Sequence, residues 1–158
     1  MAVLHILDLL AFAAVLVWAA IGDMRRLIIP NWISVSIAGL FALHVGMSPV
    51  PVGILAAVGV AIATLVFGIA LFAFNLIGGG DVKLMAAIAL WAGPSRMLEF
   101  LFVTAITGGL VAAAALLRRW HLAPAGGTPG SAAAIEIPYG VAIAVGGLFI
   151  AVAIYCGN

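Results

Sequence analysis

Charge is what this 158-residue chain has least of. Six Lys and Arg and five Asp and Glu make up 7% of its positions and leave a net charge of +1. A soluble domain carries about 25% charged residues, so an aqueous surface over most of the molecule is excluded. Nucleic-acid binding is excluded with it, because that needs a basic face. Cysteine is nearly missing too: Cys156 alone allows neither an intrachain disulfide nor a CxxC metal site. Nor does a basic cluster precede the first apolar run, as in a secretory signal peptide. Arg25 and Arg26 follow that run, so residues 3–21 read as a retained transmembrane helix.

What fills the chain is apolar: 67% of residues are hydrophobic, and mean hydropathy is +1.39. The length allows about six crossings of roughly 20 residues with no separate soluble domain. Residues 1–158 are therefore read as one membrane-embedded domain. Exposed backbone donors and acceptors are costly in lipid, and the expected fold is an all-α polytopic bundle of about six transmembrane segments. Apolar runs cover residues 3–21, 32–45, 52–76, 82–92, 98–117 and 138–156. The third contains Gly53, Gly59 and Gly68, small residues that admit a neighbouring helix. The fourth is short for a full span, which makes it tilted, broken or sheltered inside the bundle; folded back, it gives a five-span alternative. Pro49 and Pro51 close the turn before the third run, and the Gly/Ala/Pro-rich stretch 121–137 is predicted to lack regular structure.

Lys and Arg in short loops favour the cytoplasmic side. With six crossings and an outside N-terminus, Arg25, Arg26, Lys83, Arg118 and Arg119 face the cytoplasm and only Arg96 lies outside. Asp23 and Asp81 then share the cytoplasmic face, with Asp8 and Glu99 toward the other.

Those two aspartates stand at the ends of apolar segments, wrapped in breaker residues: Ile21-Gly22-Asp23 ahead of Ile29-Pro30-Asn31-Trp32, and Gly78-Gly79-Gly80-Asp81-Val82-Lys83-Leu84. An acidic group beside lipid is costly and marks a functional candidate. Two carboxylates a few ångströms apart resist double ionisation, so a shared proton makes an acid and a base in one place. The ionised member can take a proton from water attacking an amide carbonyl while the protonated member stabilises the oxyanion. No serine, histidine, cofactor or metal is needed. The other reading is structural, with either aspartate capping a helix. Gly78, Gly79 and Gly80 admit backbone angles closed to most residues and close approach of another backbone. A Walker loop needs Gly-Lys followed by Ser or Thr, whereas Gly80 is followed by Asp81.

Supporting candidates are Asn31, as a hydrogen-bond partner near Asp23 or a helix cap, and Lys83, as an electrostatic tuner or a membrane anchor. Arg25 and Arg26 are assigned to topology. His5, His44 and His121 are too separated in this topology for a zinc site, and Trp32, Trp91 and Trp120 fit interfacial belts. Glu136 is read as part of the start of the last helix.

Together, Asp23 through Ile29-Pro30-Asn31 and the GxGD-type run Gly78-Gly79-Gly80-Asp81-Val82-Lys83-Leu84 resemble the membrane aspartyl peptidases that process type IV prepilins. The short, methylase-free form is most similar to the prepilin peptidases of tight-adherence, or Flp-type, pilus systems. The resemblance implies that Asp23 and Asp81 are catalytic, that the site faces the cytoplasm of a prokaryotic inner membrane, and that the substrate is a pilin precursor whose basic leader, ending in glycine, precedes a hydrophobic helix. It implies no cofactor, and membrane lipids as surroundings. Bifunctional relatives carry an extra domain with paired CxxC sequences that methylates the new N-terminus; this chain lacks the length and cysteines for it. Two other classes compete: a small proton-coupled transporter or channel, and a noncatalytic assembly protein.

Overall fold

The computed structural model describes residues 2–48, 53–122 and 138–157. Pro49, Pro51 and Glu136, and the side chains of Arg119, Trp120 and His121, lie outside what is described. The described residues form five helices: α1 (Ala2–Arg26), α2 (Asn31–Met47), α3 (Ile54–Ala73), α4 (Gly79–Leu122) and α5 (Tyr139–Gly157). Four of them, α1, α3, α4 and α5, are long and apolar enough to cross a membrane; α2 is shorter, at 17 residues. The chain is thus a helical membrane bundle.

Each boundary has a local cause. The first helix runs past the apolar run through Asp23 to Arg25 and Arg26, whose charges suit the negative end of the helix dipole. It stops at Leu27, whose positive φ of 53° turns the chain while its N–H still reaches Asp23 O at 2.9 Å. Pro30 then sets an extended φ of −63° and ψ of 144° ahead of α2. At the end of α3, Asn75 adopts φ 56°, with Asn75 N–H on Phe72 O at 2.9 Å and Leu76 N–H on Leu71 O at 3.0 Å. This Schellman arrangement uses the residue type that best replaces glycine there.

The fourth helix is two limbs. Gly93, at φ 56° and ψ −173°, breaks it, and Pro94 follows. Left-handed φ is open to glycine at little cost, so the chain can turn back there. The first limb, residues 79–92, is about 21 Å long at 1.5 Å per residue, short against a hydrocarbon core of about 30 Å. It survives because it is sheltered: Val82, Leu84, Ala87, Ile88, Ala89, Trp91 and Ala92 are all buried.

Packing centres on α4, which lies against α3 and α5, with α1 against α5 and α2. Phe12, Leu16, Ile33, Ile37, Leu84, Ile88, Phe100 and Ile150 are the largest fully buried side chains. Glycines set the closest approaches. A Cβ at Gly68 would stand 2.6 Å from Val82 Cγ1, and one at Gly147 would stand 2.8 Å from Leu16 Cδ1. Gly68 therefore fulfils the expected role of a close-packing residue, whereas Gly59 has nothing within 4 Å.

Two expectations are corrected at the end of the bundle remote from Asp23. Trp91 is no belt residue: it is 5% exposed, stacks on Phe12 with centroids 4.2 Å apart, and donates Nε1–H to Ile37 O at 3.0 Å. The helix register turns it inward, where its N–H finds a backbone acceptor. His5 and His44 are not separated either. Their rings meet edge to face at 5.1 Å, His44 Nδ1 is 2.9 Å from Asp8 Oδ2, and His5 Nε2 is 3.1 Å from Met47 O. Antiparallel packing of α1 on α2 brings the start of one helix beside the end of the other. Among the described residues, no group of three or more His, Cys, Asp or Glu is arranged to hold a metal ion.

Candidate active site

Asp23 sits in the last turn of α1, the wrong end of its own helix for a carboxylate, since the C-terminal carbonyls already carry partial negative charge. It cannot cap α1 from there. Its partner is another helix: the backbone N–H of Gly140, in the first turn of α5, points to the Asp23 carboxylate, and beside it the Val141 amide, which donates to Pro138 O at 3.3 Å, also faces Asp23. The first N–H groups of any helix lack internal acceptors, and here a side chain from across the bundle supplies one. Asp23 is 5% exposed, and its Oδ2 is buried with no hydrogen-bond partner among the described residues. An unmatched buried carboxylate oxygen is costly in a purely structural role.

Asp81 is held differently. It is the third residue of α4, and its carboxylate accepts the backbone N–H of Gly78 just ahead of the helix. That is one half of a capping box, in which the third residue reaches back to the cap. The position suits a carboxylate, because the helix N-terminus is positive. Asp81 is partly exposed where Asp23 is buried.

The two carboxylates lie close enough for their charges to repel. Ile29 forms the wall between the segments that carry them. A Cβ at Gly140 would stand 2.7 Å from both Asp23 Cγ and Ile29 Cδ1, and one at Gly80 would stand 3.1 Å from Ile29 Cβ. The lack of a side chain at 140, and to a lesser degree at 80, lets the turn after α1, the start of α4 and the start of α5 converge.

The three glycines thus act through space rather than unusual dihedrals. Among the described glycines only Gly93 has positive φ, so the expected departure from ordinary backbone angles does not occur at 78–80. Close approach does occur: a Cβ at Gly80 would crowd Ile29, one at Gly79 would stand 3.4 Å from Phe72 Cε2, and one at Gly78 would stand 3.0 Å from Asp81 Oδ2.

Lys83 and Asn31 meet each other. Lys83 Nζ donates to Asn31 Oδ1 at 2.9 Å on the exposed surface, tying the start of α4 to the start of α2. The cap position of α2 is Pro30, with no side-chain cap bond, so Asn31 is the first helical residue rather than its cap. Gly140 and Val141 received no role from the sequence. The available signal was Pro138-Tyr139-Gly140, a proline ahead of a helix with a glycine inside its first turn, but nothing local links that turn to Asp23.

Chemically, the arrangement offers two carboxylates of unequal exposure on opposing helix ends, each anchored by backbone amides and each with oxygen capacity left for a substrate or water. The profile of the type IV leader peptidase family matches residues 10–113, a segment that includes both Asp23 and Asp81. No curated protein and no solved structure matches the chain.

Proposed function

Since the chain belongs to the type IV leader peptidase family, we propose that Asp23 and Asp81 together hydrolyse the peptide bond between the leader and the hydrophobic helix of a pilin precursor. The observation that carries this reading is the convergence of two carboxylates from remote parts of the chain, one with a buried oxygen that no described residue satisfies. A capping role accounts for the amide contacts but not for the pairing.

In this mechanism one proton is shared by the pair and belongs to neither aspartate permanently. The ionised carboxylate removes a proton from water as the water oxygen attacks the scissile carbonyl. The protonated carboxylate hydrogen-bonds the developing oxyanion, then gives its proton to the leaving amine as the C–N bond breaks. The backbone amides of Gly78 and Gly140 orient the two carboxylates. Lys83 and Asn31 are positioning residues that tie α4 to α2.

The break at Gly93 supports a six-crossing topology in which both limbs of α4 cross, the first shielded by its neighbours. Arg25, Arg26 and Lys83 then lie with the aspartates on the cytoplasmic face of a prokaryotic inner membrane, and Arg96 lies opposite. Residues 1–158 contain no paired CxxC sequence, in keeping with assignment to the methylase-free, Flp-type branch. A transporter needs polar groups along the path. Instead, Phe12, Leu16 and Ala19 are buried between Asp8 and Asp23, which lie about 22 Å apart along one helix.

The test is a purified-enzyme assay against a matched Flp-type precursor and a variant of its junction glycine, with the cut mapped by mass spectrometry. Cleavage after the glycine, lost in the variant, is expected. Cutting elsewhere, or Asp-dependent ion flux without cleavage, would overturn the reading.

A further inference from the structure

Two apolar grooves flank the first limb of α4. One, of about 530 Å³, passes between α2 and α3 along Lys83, Ala86, Ala87 and Leu90. The other, of about 400 Å³, is bounded by Ile77, Met85, Tyr139 and the second limb at Thr104, Gly108 and Gly109. Helical geometry separates them. At about 100° per residue, Met85 lies about 40° around the helix from Asp81, whereas Lys83, Ala86, Ala87 and Leu90 lie about 140–240° away. The second groove shares the face of Asp81, and the first is on the back.

The head of the second groove also touches both carboxylate supports. Ile77 precedes Gly78, whose N–H holds Asp81, and Tyr139 precedes Gly140, whose N–H holds Asp23. The unsatisfied Asp23 Oδ2 lies 2.8 Å from the position of a Gly140 Cβ. Farther along, Thr104 packs its hydroxyl against Gly146 of α5, and among the described residues Gly109 has nothing within 4 Å of its Cβ position. Small residues let another helix backbone approach closely in lipid.

We infer that this groove, between the second limb of α4 and the start of α5, seats the hydrophobic helix of the substrate. The inference rests on the peptidase reading above. The occupant must be a helix that continues into an extended segment at the groove head, because Ile77 and Tyr139 there adjoin Gly78 and Gly140 beside the two carboxylates. A pilin precursor has that form: an apolar helix directly after the residues to be cut. Seated here, the helix begins at the level of Gly78 and Gly140, and its preceding residues pass between Asp23 and Asp81.

The experiment pairs two bulky substitutions with one crosslink, in the full chain reconstituted with intact precursor. Gly109→Trp fills the groove from a position with open space around its Cβ, and Ala86→Trp fills the groove on the back. Precursor cleavage falls at least tenfold in the first and stays within twofold of wild type in the second. Wild-type cleavage by Gly109→Trp, or a loss confined to Ala86→Trp, would overturn the assignment. A folding defect is separated by a photocrosslinking residue at position 109 in an Asp81→Asn background. The adduct is expected on the precursor's hydrophobic helix; adducts with lipid alone, or with a second copy of the chain, would overturn it. Should Asp81→Asn still cleave, the two-aspartate chemistry fails, while the site of the adduct still reports on the groove.

Discussion

Gly140 leaves empty the space that Asp23 occupies: a Cβ there would lie 2.7 Å from Asp23 Cγ and 2.8 Å from Oδ2. The same residue donates its N–H to that carboxylate. Position 140 therefore both admits and fixes the aspartate, and the requirement for glycine is steric, because no positive φ is involved.

Gly140→Ala is expected to lower precursor cleavage more than tenfold by pushing the Asp23 carboxylate off the α5 amides. Overpacking of this kind costs about 1–3 kcal/mol, so the protein remains inserted but less stable. Initial rates and unfolding in mixed micelles measure the two effects. Wild-type rates would show that Asp23 does not depend on this seat.

The pair Asp8–His44 predicts a contrasting phenotype. It lies at the other end of α1, with side chains 3% and 11% exposed. Asp8→Ala strands a buried His44 nitrogen, at a cost of about 1–3 kcal/mol. Cleavage per folded molecule stays near wild type while the unfolding midpoint drops. Abolished cleavage in a fully folded Asp8→Ala protein would place the network in the reaction.

Much of this bundle was legible because helical runs and their breakers are local. Gly68 announced its close packing, and the glycines before Asp81 announced a crowded turn. Asp23 and Asp81 stood out because carboxylates are scarce here and each was flanked by turn residues. What stayed hidden depends on helices distant in sequence. The Gly140 and Val141 amides reach Asp23 only because α5 packs on α1. Trp91 looked interfacial because its position near a Gly-Pro break says nothing of which way the limb faces. His5 and His44 looked separate because their meeting depends on how deeply α2 lies against α1.

Lys83 discriminates positioning from electrostatic tuning. Its bond to Asn31 is exposed, and exposed polar pairs contribute about 0–1 kcal/mol. Lys83→Met and Asn31→Ala should therefore each cut cleavage only a few-fold and by similar factors, with the double variant no worse than either alone. A much larger loss for Lys83→Met, with Asn31→Ala silent, would assign the ammonium charge a direct electrostatic role.

A shared proton predicts a bell-shaped dependence of kcat/KM on pH, with both limbs belonging to the carboxylate pair. Steady-state rates on a precursor without titrating residues at the junction measure it. A rate that rises or falls only once across the carboxylate range would mean that a single acid acts.

The most direct test compares Asp23→Asn, Asp81→Asn and the double variant, all confirmed as folded and membrane-inserted, in single-turnover cleavage of the same precursor. Asn keeps the shape and an amide-facing oxygen but removes the ionisable proton. Groups that act as a unit are non-additive. Each single variant should lose roughly 10²–10⁴-fold, the scale of general acid–base catalysis, and the double variant should be no slower than the worse single. Either single variant cleaving at the wild-type rate, or a double variant slowed by the product of the two single losses, would contradict the shared-proton mechanism.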